Sequence, residues 1–142
     1  HHMTEPKLHW RDSGHHFLIS RGGLILEGRG GAAAAAAQGL CLLGAHSGNN
    51  RINSTYIGIE VEGTYMETLP TPPAWNCLVN LCAWISYWGN TQAEAINGHR
   101  TYRKTLCPGD ALFREIPRLR QEVSQGKLLI MTDESRRGLS VG

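Results

Sequence analysis

The chain has 142 residues, enough for one domain with a substantial core, and its 14 Lys plus Arg against 12 Asp plus Glu leave it near electrical balance. That balance gives no electrostatic reason to expect nucleic acid or an anionic membrane as a partner. The longest apolar run, residues 77–88, is interrupted by Asn80 and Ser86 and is too short to cross a bilayer, and no signal-peptide pattern is visible.

In chain order, "HHFLIS" and "LILEGR" are short apolar runs joined by "RGG", which predicts a β-hairpin with glycine in the turn. Six consecutive alanines follow between glycines. Alanine favours helix, but a run this short is marginal alone, so a surface connection with one helical turn is expected. In "YIGIEVEG", residues 56–63, Ile57, Ile59 and Val61 alternate with Gly58, Glu60 and Glu62, the period of a strand with one buried face. The segment from "LPTPP" to "YWGN" predicts a helix: Thr71 caps it, Pro72 or Pro73 fits its first turn, and Gly89-Asn90 stops it. Trp75, Leu78, Val79, Cys82 and Ile85 recur at helical spacing as a buried stripe, so the tryptophans read as core rather than as a sugar platform.

"AEAING" predicts a short strand or extended segment leading into His99. Leu112, Ile116, Leu119 and Val123 mark a last helix, with Pro117 starting a fresh segment of it. Residues 126–142 are polar apart from "LLIM" and read as a C-terminal tail, disordered in part or forming a late edge strand, so the domain is bounded at 1–125. The order of elements indicates an α/β domain with a mixed central β-sheet flanked by helices.

Chemistry concentrates in "GHRTYRKTLCPGD", residues 98–110. Of the four cysteines, Cys77 and Cys82 read as small core residues and Cys41 as structural, without CxxC spacing or disulfide-scaffold density. Cys107 differs, because its neighbours are polar and turn-forming. It lies eight positions after His99, and a loop folding back can bring an imidazole and a thiolate to one zinc ion. The helix N-terminus that follows is expected to favour the thiolate. On spacing alone, a partly exposed His and an unrelated Cys remain the alternative.

Four stretches, "SGHHFLISRGGLILEGR", "GAHSGNN", "YIGIEVEG" and "GHR…TLCPGD", resemble in that order the zinc-dependent N-acetylmuramoyl-L-alanine amidases, the family of bacterial autolysins, phage endolysins and peptidoglycan recognition proteins. The resemblance covers roughly residues 10–123 and implies a mixed sheet flanked by helices. By position it implies Zn2+ ligands at His99 and Cys107, with the first ligand at His1 in "HHMT"; His2 is the fallback, and a purification tag is the other reading of both. His15 stands where many members carry the tyrosine of "GYHF", which implies a catalytic hydrogen-bonding role. Thr105 stands near the expected oxyanion, a plain turn residue being its alternative. His46 and Asn49 resemble the groove wall that contacts muropeptide, with loop capping as the alternative, and His16 is expected at the site floor as a further substrate-binding residue. Glu60 and Glu62 share the solvent face of their strand and receive no catalytic role; His9 reads as a surface residue.

The activity implied is metal-assisted hydrolysis of the amide between N-acetylmuramic acid and L-alanine. A monomer acting on peptidoglycan at the bacterial cell wall follows, secreted or phage-delivered, with no nucleic acid partner and no membrane insertion. Two other readings stand beside it: a peptidoglycan-binding module without catalysis, for which a Ser in place of Cys107 would be the usual sign, and a closed structural zinc site, which would need four protein ligands.

Overall fold

The computed structural model describes residues 12–139 of the chain. Its sheet has three strands in the order β2-β1-β3: β1 is Phe17–Ile19, β2 Ile25–Glu27 and β3 Ile59–Val61. β1 pairs antiparallel with β2, Leu18 facing Leu26, and parallel with β3, Leu18 facing Glu60. The hairpin turn between β1 and β2 is closed by the Ser20 hydroxyl and carbonyl, which accept from the backbone N–H groups of Leu24 and Gly23. The sheet is mixed, as expected.

Five helices surround it among the described residues: α1 (Ala32–Ala36), α2 (Asn50–Thr55), α3 (Pro72–Trp88), α4 (Asp110–Arg114) and α5 (Ile116–Leu139). α3 begins and ends where its signals place it. The Thr71 hydroxyl accepts from the Ala74 N–H, two prolines fill the first turn, and Gly89 forms the C-cap. Its buried side is Ala74, Trp75, Leu78, Leu81, Cys82, Ala83 and Ser86, so the stripe is shifted from the expected one, with Val79 and Ile85 half-buried at its margins. Trp75 is core, and its indole N–H donates to Glu122 Oε2 on α5 at 2.6 Å.

Three expectations are corrected. The alanine run is not a surface connection: Ala32, Ala35 and Ala36 are buried, because their small side chains let α1 lie close against the core. Residues 93–95 form a 3-10 turn, and His99 opens a second such turn, His99–Thr101, rather than ending an extended segment. Residues 126–139 are helical rather than disordered or an edge strand. α5 runs through them without a break, held by Lys127 Nζ donating to the Thr91 carbonyl at 2.8 Å and by Ile130 packing on the core. No helix among the described residues is long and apolar enough to cross a membrane.

Candidate active site

A cleft of about 540 Å³ opens beside β3 and is lined by His15, His46, His99 and Cys107 together with apolar side chains of β3, α3 and α5. Ile59, Leu78 and Leu119 are among its apolar lining.

His99 and Cys107 reach the cleft through a loop that closes on itself. The backbone N–H of Arg100 donates to the Cys107 carbonyl at 3.1 Å, which sets the residue after His99 against Cys107. The Arg100 side chain holds the same loop. It donates to Asp110 Oδ1 at 2.7 Å and to the Leu106 carbonyl, and it stacks over the Phe113 ring at 4.9 Å. Gly109 ends the turn with φ +99°, and a Cβ there would lie 2.3 Å from the Tyr65 carbonyl oxygen, so only glycine fits.

The His99 ring is oriented from behind. Its Nε2 lies 3.2 Å from the Ser47 carbonyl oxygen, and since a carbonyl only accepts, Nε2 carries the proton and Nδ1 the lone pair. A ring nitrogen tied to a backbone carbonyl is the usual support of a metal-ligating histidine. Ser47 is fixed in turn by Asn53, whose Oδ1 accepts from the N–H groups of His46 and Ser47 and from the Ser47 hydroxyl at 2.8 to 3.1 Å. Cys107 is accessible at the surface, yet desolvation in the cleft pushes its thiol up; Arg100 opposes that and Glu60 adds to it.

An oriented imidazole nitrogen and a thiol in one cleft are donors of the type zinc accepts, so these residues fit the ion. Among the described residues no group of three His, Cys, Asp or Glu side chains forms a complete metal site. His1, the expected third ligand, lies outside the described residues, as do His2 and His9.

The other expected site residues divide. His15 lines the cleft, and its Nδ1 lies 3.1 Å from Glu60 Oε2. His46 also lines it, with Nε2 against the Tyr56 carbonyl at 3.0 Å and its ring packed where a Cβ on Gly58 would come within 2.4 Å. Burial lowers the His46 pKa to about 4, with further lowering from the neighbouring histidines, so the ring is neutral near pH 7. The Thr105 oxygen accepts from the Cys107 N–H at 3.2 Å, which makes it a turn residue and leaves its hydroxyl proton to donate.

Asn49 takes the capping alternative: its Oδ1 accepts from the N–H groups of Arg51 and Ile52 and starts α2. His16 is 1% exposed, and both of its nitrogens are occupied, Nδ1 accepting from the Gly58 N–H at 2.9 Å and Nε2 donating to the Leu42 carbonyl at 2.7 Å. It is not among the residues that line the cleft. To reach a ligand, the ring would have to break both bonds.

Ser47, Asn53 and Arg100 carry much of this geometry, and sequence reading missed them. The polar "RTYRKTL" loop was the one available signal for Arg100; nothing local marked Asn53.

The model of the N-acetylmuramoyl-L-alanine amidase family matches residues 1–110. Peptidoglycan recognition protein 1 of Bos taurus is 38% identical over 108 residues, covering 75% of this chain and 52% of that protein. Among solved structures, wild-type Drosophila PGRP-LB superposes with a TM-score of 0.65 at 31% identity, covering 80% of this chain and 61% of that one. The endolysin LysCS, an N-acetylmuramoyl-L-alanine amidase from Clostridium intestinale, gives 0.59 at 29% identity, covering 72% and 60%. The chain spans about half the length of curated relatives such as the bovine protein.

Proposed function

The chain belongs to the N-acetylmuramoyl-L-alanine amidase family, and from that premise we propose that it is a zinc-dependent peptidoglycan hydrolase. The bond cleaved is the amide between N-acetylmuramic acid and the L-alanine of the stem peptide. One observation carries the reading: His99 and Cys107 stand in the same cleft, the first with its Nε2 tied to a backbone carbonyl and the second as an accessible thiol. The peptidoglycan substrate is supported by relatives named peptidoglycan recognition proteins and by a PGRP-LB variant solved in complex with tracheal cytotoxin.

His99 and Cys107 would hold the zinc ion, with His1 proposed as the third donor. When bound, zinc polarises the scissile carbonyl and favours ionisation of water near neutral pH. The chain's own groups do the rest. The apolar walls from Ile59, Leu78 and Leu119 exclude water behind the reacting end. The Thr105 hydroxyl donates towards negative charge developing on the carbonyl oxygen. His15 handles the proton that must pass to the leaving amine. Action at the bacterial cell wall, by a secreted or phage-delivered monomer, belongs to the same proposal.

A binding-only module is the second reading, favoured by the likeness to recognition proteins. Digestion of purified cell walls separates the two. One zinc per chain and falling turbidity that a chelator stops support the hydrolase; stoichiometric zinc with wall binding and no cleavage supports the module.

A further inference from the structure

β1 and β3 run parallel, and their carboxyl ends finish beside the loop that leads into α3. Arg21 after β1, Thr64 after β3, and Thr68 and Thr71 before α3 line a pocket of about 270 Å³ there. It shares no lining residue with the cleft. The carboxyl ends of parallel strands are a common place for loops to gather ligand-binding groups.

The frame of this pocket is fixed by its own hydrogen bonds. The Thr71 hydroxyl donates to the Arg21 carbonyl, and the Arg21 N–H donates to Glu62 Oε2 at 2.9 Å. The Tyr65 hydroxyl donates to the Glu62 carbonyl. Gly63, at φ +143°, lets the Tyr65 ring sit where a Cβ would come within 2.5 Å of its oxygen.

The groups left over are donors. Among the described residues the Arg21 guanidinium makes no hydrogen bond or ion pair, and the Thr64 and Thr68 hydroxyls make no hydrogen bond. The N–H groups of Gly63, Thr64 and Thr68 are likewise without partners among them. Glu62 is the carboxylate that stands close, but its Oε2 is held by the Arg21 N–H and it does not line the pocket.

We propose that this pocket is an oxyanion site for a phosphate group, free or as the ester of a small polyol. Arg21 supplies the charged donor, and Thr64 and Thr68 complete the site. A guanidinium has five N–H groups in a fixed fork and no acceptor, a geometry that matches phosphate oxygens. Donors arriving from three separate segments suit a tetrahedral oxyanion better than a planar carboxylate. A water takes up roughly 30 Å³ of liquid, and on that scale the pocket has room for a phosphate with a small ester group. The site needs neither metal nor cleavage, so it stands or falls apart from the hydrolytic reading.

Nitrogen-15 NMR of the full chain tests it, by titration with inorganic phosphate near pH 7 at an ionic strength held constant with sodium chloride. Saturable shifts are expected at the Arg21 Nε–H and at the Thr64 and Thr68 amides, with none of that size from chloride. R21Q should weaken binding about 10-fold or more. T68V, which keeps the shape of the side chain, should weaken it about threefold or more. E62Q removes a negative charge and keeps an acceptor for the Arg21 N–H, so it should tighten binding about twofold. Unchanged amide positions outside the pocket show that each variant is folded. Glycerol 3-phosphate binding at least as tightly as inorganic phosphate assigns an ester as the ligand, and weaker binding assigns the free ion. Acetate binding more tightly than phosphate would make this a carboxylate site and overturn the proposal. Shifts that never saturate, or an affinity that R21Q and T68V both leave unchanged, would overturn it too.

Discussion

His99 and Ser47 are joined across the cleft by a 3.2 Å contact between the ring Nε2 and the backbone carbonyl oxygen. That contact transmits the order of one loop to the other. Ser47 is 2% exposed and held by Asn53 through its N–H and its hydroxyl, so the direction of the His99 ring depends on a buried amide that touches no substrate.

Asn53→Ala should therefore act twice. Removing the shared acceptor leaves buried donors unsatisfied and should cost about 2 kcal/mol or more of unfolding free energy, read from the urea midpoint. It should also weaken zinc binding roughly 10- to 100-fold, because the carbonyl that orients His99 loses its anchor. Lost stability with unchanged zinc affinity would show that Ser47 does not orient the ring.

Substituting either proposed ligand should remove the metal without unfolding the chain. His99→Ala and Cys107→Ser are expected to bring zinc from one per chain to well below that, measured by elemental analysis after dialysis, and to abolish lysis. Circular dichroism should stay near wild type, since neither side chain belongs to the core. Full zinc retention in both variants would refute the ligand assignment.

Gly109 is expected to tolerate no side chain. Its φ of +99° and the Tyr65 carbonyl oxygen 2.3 Å from a built Cβ place both strain and a clash on Gly109→Ala. A loss of about 2 kcal/mol or more should appear as a lower Tm, with reduced zinc affinity because the same turn carries Cys107.

Acid should destabilise the fold through its neutral histidines. Burial lowers the pKa of His46 to about 4 from an ordinary 6.5, and that of His16 in the same direction. Between those two values the unfolded chain binds protons that the folded His46 refuses, so this contribution is complete above pH 6.5 and is lost as pH falls towards 4. The Tm should fall across that window, and less steeply in His46→Gln, which has no group to titrate; identical slopes would contradict the assignment.

Much of the fold was legible wherever the signal was local. Thr71, the two prolines and Gly89 define α3 within a few residues of its ends, and the β1–β2 hairpin is marked by its glycine turn. The alanine run was misread because its burial depends on what packs against it, which composition does not encode. Residues 126–139 looked like a tail because their helix presents few apolar groups to the core; Lys127 and Ile130 hold it through partners distant in sequence. The site divides on the same line. His99 and Cys107 are close in the chain and flank a Pro-Gly turn, so they could be found. The Glu60–His15 pair and the Asn53 hub join elements that only the folded sheet and loops bring together.

This cleft is proposed to hydrolyse the muramoyl–alanine amide with zinc. The most direct measurement is mass spectrometry of purified peptidoglycan digested by the zinc-loaded chain, with new amino termini identified by labelling. Free L-alanine amino termini and lactyl carboxylates are expected in equal amounts, none of them formed after chelation and formed again once zinc is restored. Intact muramoyl–alanine linkages after digestion with the zinc-loaded chain, or cleavage at another bond, would contradict the proposal.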